Sequence, residues 1–99
     1  MIKKYNVFEL VPDDGRKSFY NKATVTEING RAVLKSYNTE VCEIDAAGVF
    51  HRYWSGYSVT TMRHANAFLH LYGVPGGGKA WWDAQPVEEF SWVKFYIAG

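Results

Sequence analysis

The dipeptide Asn29-Gly30 constrains this chain more than any other feature, because β-branched segments flank it on both sides, SFYNKATVTEI before and RAVLKSYNTEVCEID after. Asn and Gly both tolerate positive φ, which a two-residue type I′ hairpin requires, and the twist of that turn matches the twist of paired strands. The two-residue register sets Ile28 opposite Arg31, Thr26 opposite Val33 and Thr24 opposite Lys35. Further strands extend the hairpin. KYNVFELV (4–11) reads as a strand halted by the turn signal Pro12-Asp13-Asp14-Gly15, and 18–28 as the second. Residues 31–45 read as one long return strand, kinked or bulged at Asn38-Thr39. Ala46-Ala47-Gly48 turns that strand back into VFHRYW (49–54). The expectation is an antiparallel meander over 18–54.

The period of the apolar residues changes after Ser58. Met62, Ala65, Phe68, Leu69 and Tyr72 form one helical stripe. Ser58 is placed to cap the helix by accepting the N–H of Thr60 or Thr61, and Gly73 stands where a left-handed C-cap belongs. A helix over 59–72 follows, then a short one over 79–85 ended by Pro86. FSWVKFYI (90–97) alternates and reads as a closing strand. With 99 residues and neither repeat nor linker, the chain is expected to be a single α+β domain over 1–99. Its antiparallel meander would pack on one long helix, with a short second helix and a C-terminal strand. Both ends read as strands, so trimming either is expected to be costly.

Net charge is +1, with acids and bases mixed along the chain. There is no basic stripe for duplex DNA and no acidic surface that imitates it. Cys42 is the only cysteine, so no internal disulfide forms; it reads as a small buried hydrophobe, with a nucleophile as the weaker reading. No signal peptide and no apolar run of membrane-spanning length is present, so the expectation is a soluble, cytoplasmic protein that binds no membrane. Four Trp, seven Tyr and six Phe exceed what a small core needs, so some are expected to face a groove or a partner.

GVPGGGKA (73–80) imitates a phosphate-binding loop, G-x-x-x-x-G-K, but ends in Ala80 where Ser or Thr would hold Mg²⁺. It also follows a helix rather than a strand, so it reads as a connection between helices. A weaker reading keeps Gly76 to Lys79 as a cradle for one anionic group.

The densest polar and aromatic run is HRYWSGYSVTTMRHAN (51–66). Arg52, Arg63 and His64 supply donors, Trp54 and Tyr57 flat faces, and Ser58 and Thr61 lie at the helix start. Together with Lys79 these residues are the candidate ligand site, able to stack a base and hold a phosphate. The bland reading uses Ser58 and Thr61 as caps, Trp54 and Tyr57 as anchors and Arg63 as a solvated charge. Asn66 and His70 share a helix side with Arg63, away from the apolar stripe, and are candidate partner contacts. So are Trp81 and Trp82: adjacent helical positions differ by about 100°, so one Trp faces the core and the other the surface or the sheet edge. His64 and His70, six apart, cannot form the i, i+4 pair of a zinc site, and His51 lies on a strand; no metal and no cofactor is expected. No motif links Ser, His and Asp into a catalytic set.

Ser36 to Thr39, Trp54, Gly56 to Ser58, Thr60, Thr61, Arg63, His64, Asn66 and Phe68 resemble a family of small proteins of gut Gram-positive bacteria, their phages and mobile elements. The Gly-rich bend and Trp-Trp-Asp helix (Gly76 to Asp83) are similar too, although members more often have one Trp there. The likeness covers about half the chain. It implies a phage or mobile-element setting and supplies no catalytic residues. The expected function is a non-catalytic protein acting against host defence, either by sequestering a nucleotide-like signal or by docking on and inhibiting a defence protein such as a CRISPR effector. The alternatives are a small nuclease built on His64 or His51 with Arg63, and an assembly protein that forms a homo-oligomer through its edge strands.

Overall fold

The computed structural model describes residues 5–10, 22–76 and 78–91. Five strands form one antiparallel sheet in chain order: β1 (Tyr5–Glu9), β2 (Ala23–Ile28), β3 (Arg31–Ser36), β4 (Thr39–Ile44) and β5 (Phe50–Arg52). Helices α1 (Val59–Leu71) and α2 (Gly78–Ala84) follow. The α+β class and the meander of the sequence reading are present. Asn29 and Gly30 take φ of 53° and 81°, and the pairs Ile28–Arg31, Thr26–Val33 and Thr24–Lys35 form as the turn dictates.

The single return strand over 31–45 is corrected. The chain reverses at Tyr37-Asn38, giving β3 and β4 where one kinked strand was expected. Tyr37 adopts φ 55°, a conformation uncommon for a bulky aromatic, so no familiar turn dipeptide marks the site. The irregularity lies further on: Leu34 pairs with Cys42 and Lys35 with Glu40, which leaves Val41 as the extra residue of a bulge. The Val41 carbonyl accepts from the N–H groups of both Tyr53 and Trp54, at 2.9 and 3.1 Å.

The helix reading is also corrected in scale. α1 has thirteen residues and α2 seven, so two short helices share the sheet. Ser58 Oγ accepts from Thr61 N at 3.1 Å, as its position foretold. At the other end Gly73 takes φ 69°. Gly73 N donates to His70 O at 3.2 Å and Val74 N to Leu69 O at 2.9 Å, the paired bonds that close a helix in a Schellman motif. The Gly-Lys stretch over 73–80 therefore follows a helix rather than a strand, and Gly78 to Ala80 already belong to α2. Most of the strand expected over 90–97 lies outside the described residues, as does the Pro12–Gly15 turn; Phe90 and Ser91 are not in a strand. Among the described residues no helix is long and apolar enough to cross a membrane.

Cross-strand rows explain what each face buries, since directly opposed residues share a face. Phe8, Val25, Leu34, Cys42 and Arg52 form one row. Beside it on the same face run Asn6, Glu27, Ala32, Ile44 and Phe50. Met62, Ala65, Phe68 and Leu69 of α1 and Trp82 of α2 complete this core. The opposite face carries the row Val7, Thr26, Val33, Glu43 and His51. Part of it is covered by the segment after α2: Val87 bridges Arg52 in parallel, Glu88 N donates to Arg52 O at 2.7 Å, and Phe90 packs on Ile28 and Val33.

Candidate functional site

The residues singled out in 51–66 do not converge on one pocket. Arg52 is buried, and each of its N–H groups meets a backbone carbonyl. Nε donates to Trp54 O at 2.8 Å, Nη1 to Trp82 O and Gln85 O at 2.9 and 3.3 Å, and Nη2 to Ser55 O and Gly56 O at 3.0 and 3.5 Å. Its guanidinium also stacks 4.7 Å from the Trp82 ring. No donor is left for a phosphate, so Arg52 is a fold clamp that ties the 54–56 bend to α2. His64 is 1% exposed and shares a 2.8 Å hydrogen bond with Ser36 Oγ. Burial, then the charges of Arg63 and Lys22, lower its pKa and keep the ring neutral. Thr61 is buried and Ser58 is the helix cap. Arg63 is half-buried near His64.

Tyr57 and Lys79 form a separate, exposed pair. Lys79 Nζ stands 5.3 Å from the Tyr57 ring centre and donates to Asp83 Oδ2 at 2.5 Å, one turn along α2. Gly77 of the Gly76–Lys79 bend lies outside the described residues. Trp54 rests on the core, its ring 6.5 Å from Trp82. Trp82 is fully buried, its Nε1 donating to Gly56 O at 2.9 Å, which removes it as a partner contact. Trp81 is half-buried over Phe50 of β5, with ring centres 4.9 Å apart. The pair thus divides between core and sheet edge as helical geometry requires. Asn66 is half-buried and His70 exposed on α1. Cys42 is fully buried; burial, and then the Glu43 charge, raise its pKa and keep the thiol protonated.

Two polar clusters carry no sequence motif. The first lies on the face away from α1. Glu43 is fully buried and accepts from Arg31 Nε and from the Tyr53 hydroxyl. Burial, then the hydrogen bond to Glu43, push the Tyr53 pKa up. Next to it His51 bridges two carboxylates, Nε2 to Asp45 Oδ2 at 2.7 Å and Nδ1 to Glu88 Oε2 at 2.8 Å. Partial burial opposes its charge, but the bonds and charges of Asp45 and Glu88 outweigh that and raise the His51 pKa.

The second is a cleft of about 690 Å³ where the sheet runs past the end of α1. Helix α1 closes at Gly73, so the Asn29-Gly30 end of the sheet is left open. Ile28, Ala32 and Ile44 supply apolar lining; the turns at 29–30 and 45–48 and Tyr72 supply the walls. Glu27 stands in it, half-buried. Its Oε2 accepts from the Tyr72 hydroxyl at 2.5 Å, and its Oε1 from Asn6 Nδ2 at 3.3 Å. Burial, then this bond, raise the Tyr72 pKa, so the hydroxyl stays a donor. Among the described residues no cation pairs with Glu27. The other lining charges are balanced: Arg31 by Glu43, and Asp45 by His51 together with the N–H groups of Ala47 and Val49.

A family model matches residues 8–84, from within β1 to the end of α2. The chain belongs to DUF8033, a family of unknown function. No curated protein and no solved structure matches it. The DUF8033 span holds Glu27, Arg31, Glu43 and Tyr72, whereas Asn6, Glu88 and Phe90 stand outside it.

Sequence reasoning missed the cleft because its parts are remote in the chain, with Tyr72 45 positions after Glu27. One signal was available. In the hairpin register that Asn29-Gly30 dictates, Glu27 pairs with Ala32, which sets this acid opposite an apolar residue.

Proposed function

We propose that this DUF8033 chain is a small non-catalytic binding protein that docks on another protein through the cleft between the Asn29-Gly30 turn, the 45–48 turn and Tyr72. The observation that carries the reading is Glu27, a carboxylate oriented by Tyr72 and Asn6 in a cleft of about 690 Å³ without a cation of its own among the described residues. Such a group repels phosphate and attracts donors, which favours docking over sequestration of a nucleotide-like signal. The groups first expected to hold a phosphate have other partners: Arg52 clamps carbonyls, His64 is buried on Ser36 and Lys79 pairs with Asp83. A nuclease finds little support, since His64 is inaccessible and both nitrogens of His51 are bonded. The phage setting implied by the resemblance makes the docked protein a component of host defence, such as a CRISPR effector, and the site of action the bacterial cytoplasm.

The test is phage plating on hosts that carry a CRISPR system, with and without the chain. The wild-type chain is expected to restore plating. Ala46→Trp, at an exposed turn position lining the cleft, is expected to abolish restoration while the circular dichroism spectrum is unchanged. Full activity of Ala46→Trp would count against the cleft.

A further inference from the structure

We infer that the cleft receives the guanidinium of an arginine side chain presented by the docked protein, an inference that rests on the docking reading above. The argument begins with the lone pairs of Glu27. A carboxylate has roughly four acceptor positions, two on each oxygen. Tyr72 occupies one on Oε2 and Asn6 one on Oε1. Among the described residues each oxygen therefore keeps one acceptor position, and the two together match the parallel N–H pair of a guanidinium. Both donors already on Glu27 are neutral, so its charge is oriented without being cancelled.

The surroundings favour a cation of that shape. Arg31 and Asp45 line the same cleft but are paired with Glu43 and His51, so the net charge of these four groups and Glu27 is that of Glu27 with His51 protonated. The carboxyl end of α1 lies beside the cleft through Tyr72, and a helix C-terminus carries partial negative charge. Ala32 and Ile44, in the same face row as Glu27, offer apolar lining to the methylene stem that an arginine brings with its charge. Ala32, opposite Glu27, is the smallest side chain in its row. A lysine ammonium satisfies one oxygen at a time and is more strongly hydrated, so the planar fork is the better match.

The experiment is a ¹⁵N NMR titration of the full chain with an acetylated, amidated Gly-Arg-Gly peptide, its lysine counterpart and its citrulline counterpart, the last neutral but nearly the same shape. The arginine peptide is expected to shift the amides of Glu27, Asn29, Gly30 and Ala46 saturably. The lysine peptide, and the arginine peptide on Glu27→Gln, are expected to bind about tenfold more weakly, the loss of one charge-assisted contact. Citrulline is expected to give no saturable shift. Absence of cleft shifts with the arginine peptide, equal shifts with citrulline, or unchanged affinity in a folded Glu27→Gln chain would each overturn the inference. If these fail while Ala46→Trp still loses plating activity, docking through the cleft stands and the guanidinium falls. If Ala46→Trp keeps full activity, the docking reading falls and this inference with it.

Discussion

The two faces of the sheet solve the burial of polar groups in opposite ways. On the helix side the buried histidine, His64, is kept neutral against the Ser36 hydroxyl, and the one buried cation among the described residues, Arg52, is neutralised by carbonyl dipoles rather than by an acid. On the other side full charges meet: Arg31 on Glu43, and His51 between Asp45 and Glu88. The helix side is held mainly by apolar burial, which tolerates modest repacking. The ionic side is held by mutual satisfaction, and removal of one partner strands the rest. Glu27 belongs to neither scheme. It sits on the helix side, where that side opens to solvent, and no cation among the described residues answers its charge.

The largest expected effect tests the apolar side. Trp82 is fully buried, contacts Trp54 and Phe50, stacks on Arg52 and bonds Gly56 O. Trp82→Ala is expected to cost about 3–5 kcal/mol in urea denaturation, the range for large aromatics in cores. A loss below about 1 kcal/mol would show that α2 contributes little to the core. Glu43→Ala comes next, at about 3 kcal/mol, the lower end for breaking a buried pair because Arg31 keeps some contact with water. The sharper comparison is the triple change Arg31→Met, Glu43→Leu, Tyr53→Phe, which removes the whole network at once. It is expected to recover most of that loss. If the triple variant is as unstable as Glu43→Ala, the network itself stabilises the fold, and the contrast between the faces fails. Gly56→Ala is smaller again: a Cβ there would stand 2.5 Å from Trp54 Cζ2. The ring must shift, at about 1–3 kcal/mol, measured by the same denaturation and by Trp fluorescence.

The same contrast explains what the sequence made legible. Apolar periodicity and turn chemistry are local, so the Asn29-Gly30 hairpin, the α1 stripe and its two caps were readable residue by residue. The Tyr37-Asn38 reversal was not, because an aromatic at positive φ gives no turn signal. The run from 51 to 66 reads as a site because Arg, His and Trp crowd together there. Crowding in sequence says nothing about direction: Arg52 and His64 point inward, and their polar atoms meet carbonyls and a serine. Glu43 and Glu27 looked like ordinary strand acids. One is buried on the ionic face and the other stands in the cleft, and only the pairing of β2, β3 and β4 separates them.

The smallest effect separates His51 from His64 by pH. His51 has a raised pKa in the fold, so its contribution is fully present below the unfolded value of about 6.5 and is lost as pH rises through the folded value. A neutral imidazole has a single N–H and cannot donate to both Asp45 and Glu88, so one tie of the segment after α2 to the sheet is given up. His64 has a lowered pKa; its contribution is present above about 6.5 and is lost as pH falls through the folded value, when the buried ring must take up charge beside Arg63 and Lys22. Stability is therefore expected to decline on both sides of neutrality for different reasons. His51→Gln should remove the alkaline decline, about 1 kcal/mol for a part-exposed ion pair, and leave the acid limb in place. Urea denaturation from about pH 5 to about pH 9 reads both limbs. An alkaline limb that survives His51→Gln unchanged would mean that the bridge between Asp45 and Glu88 holds without its charge. The ionic face would then owe its cohesion to Phe90 on Ile28 and Val33 rather than to the histidine.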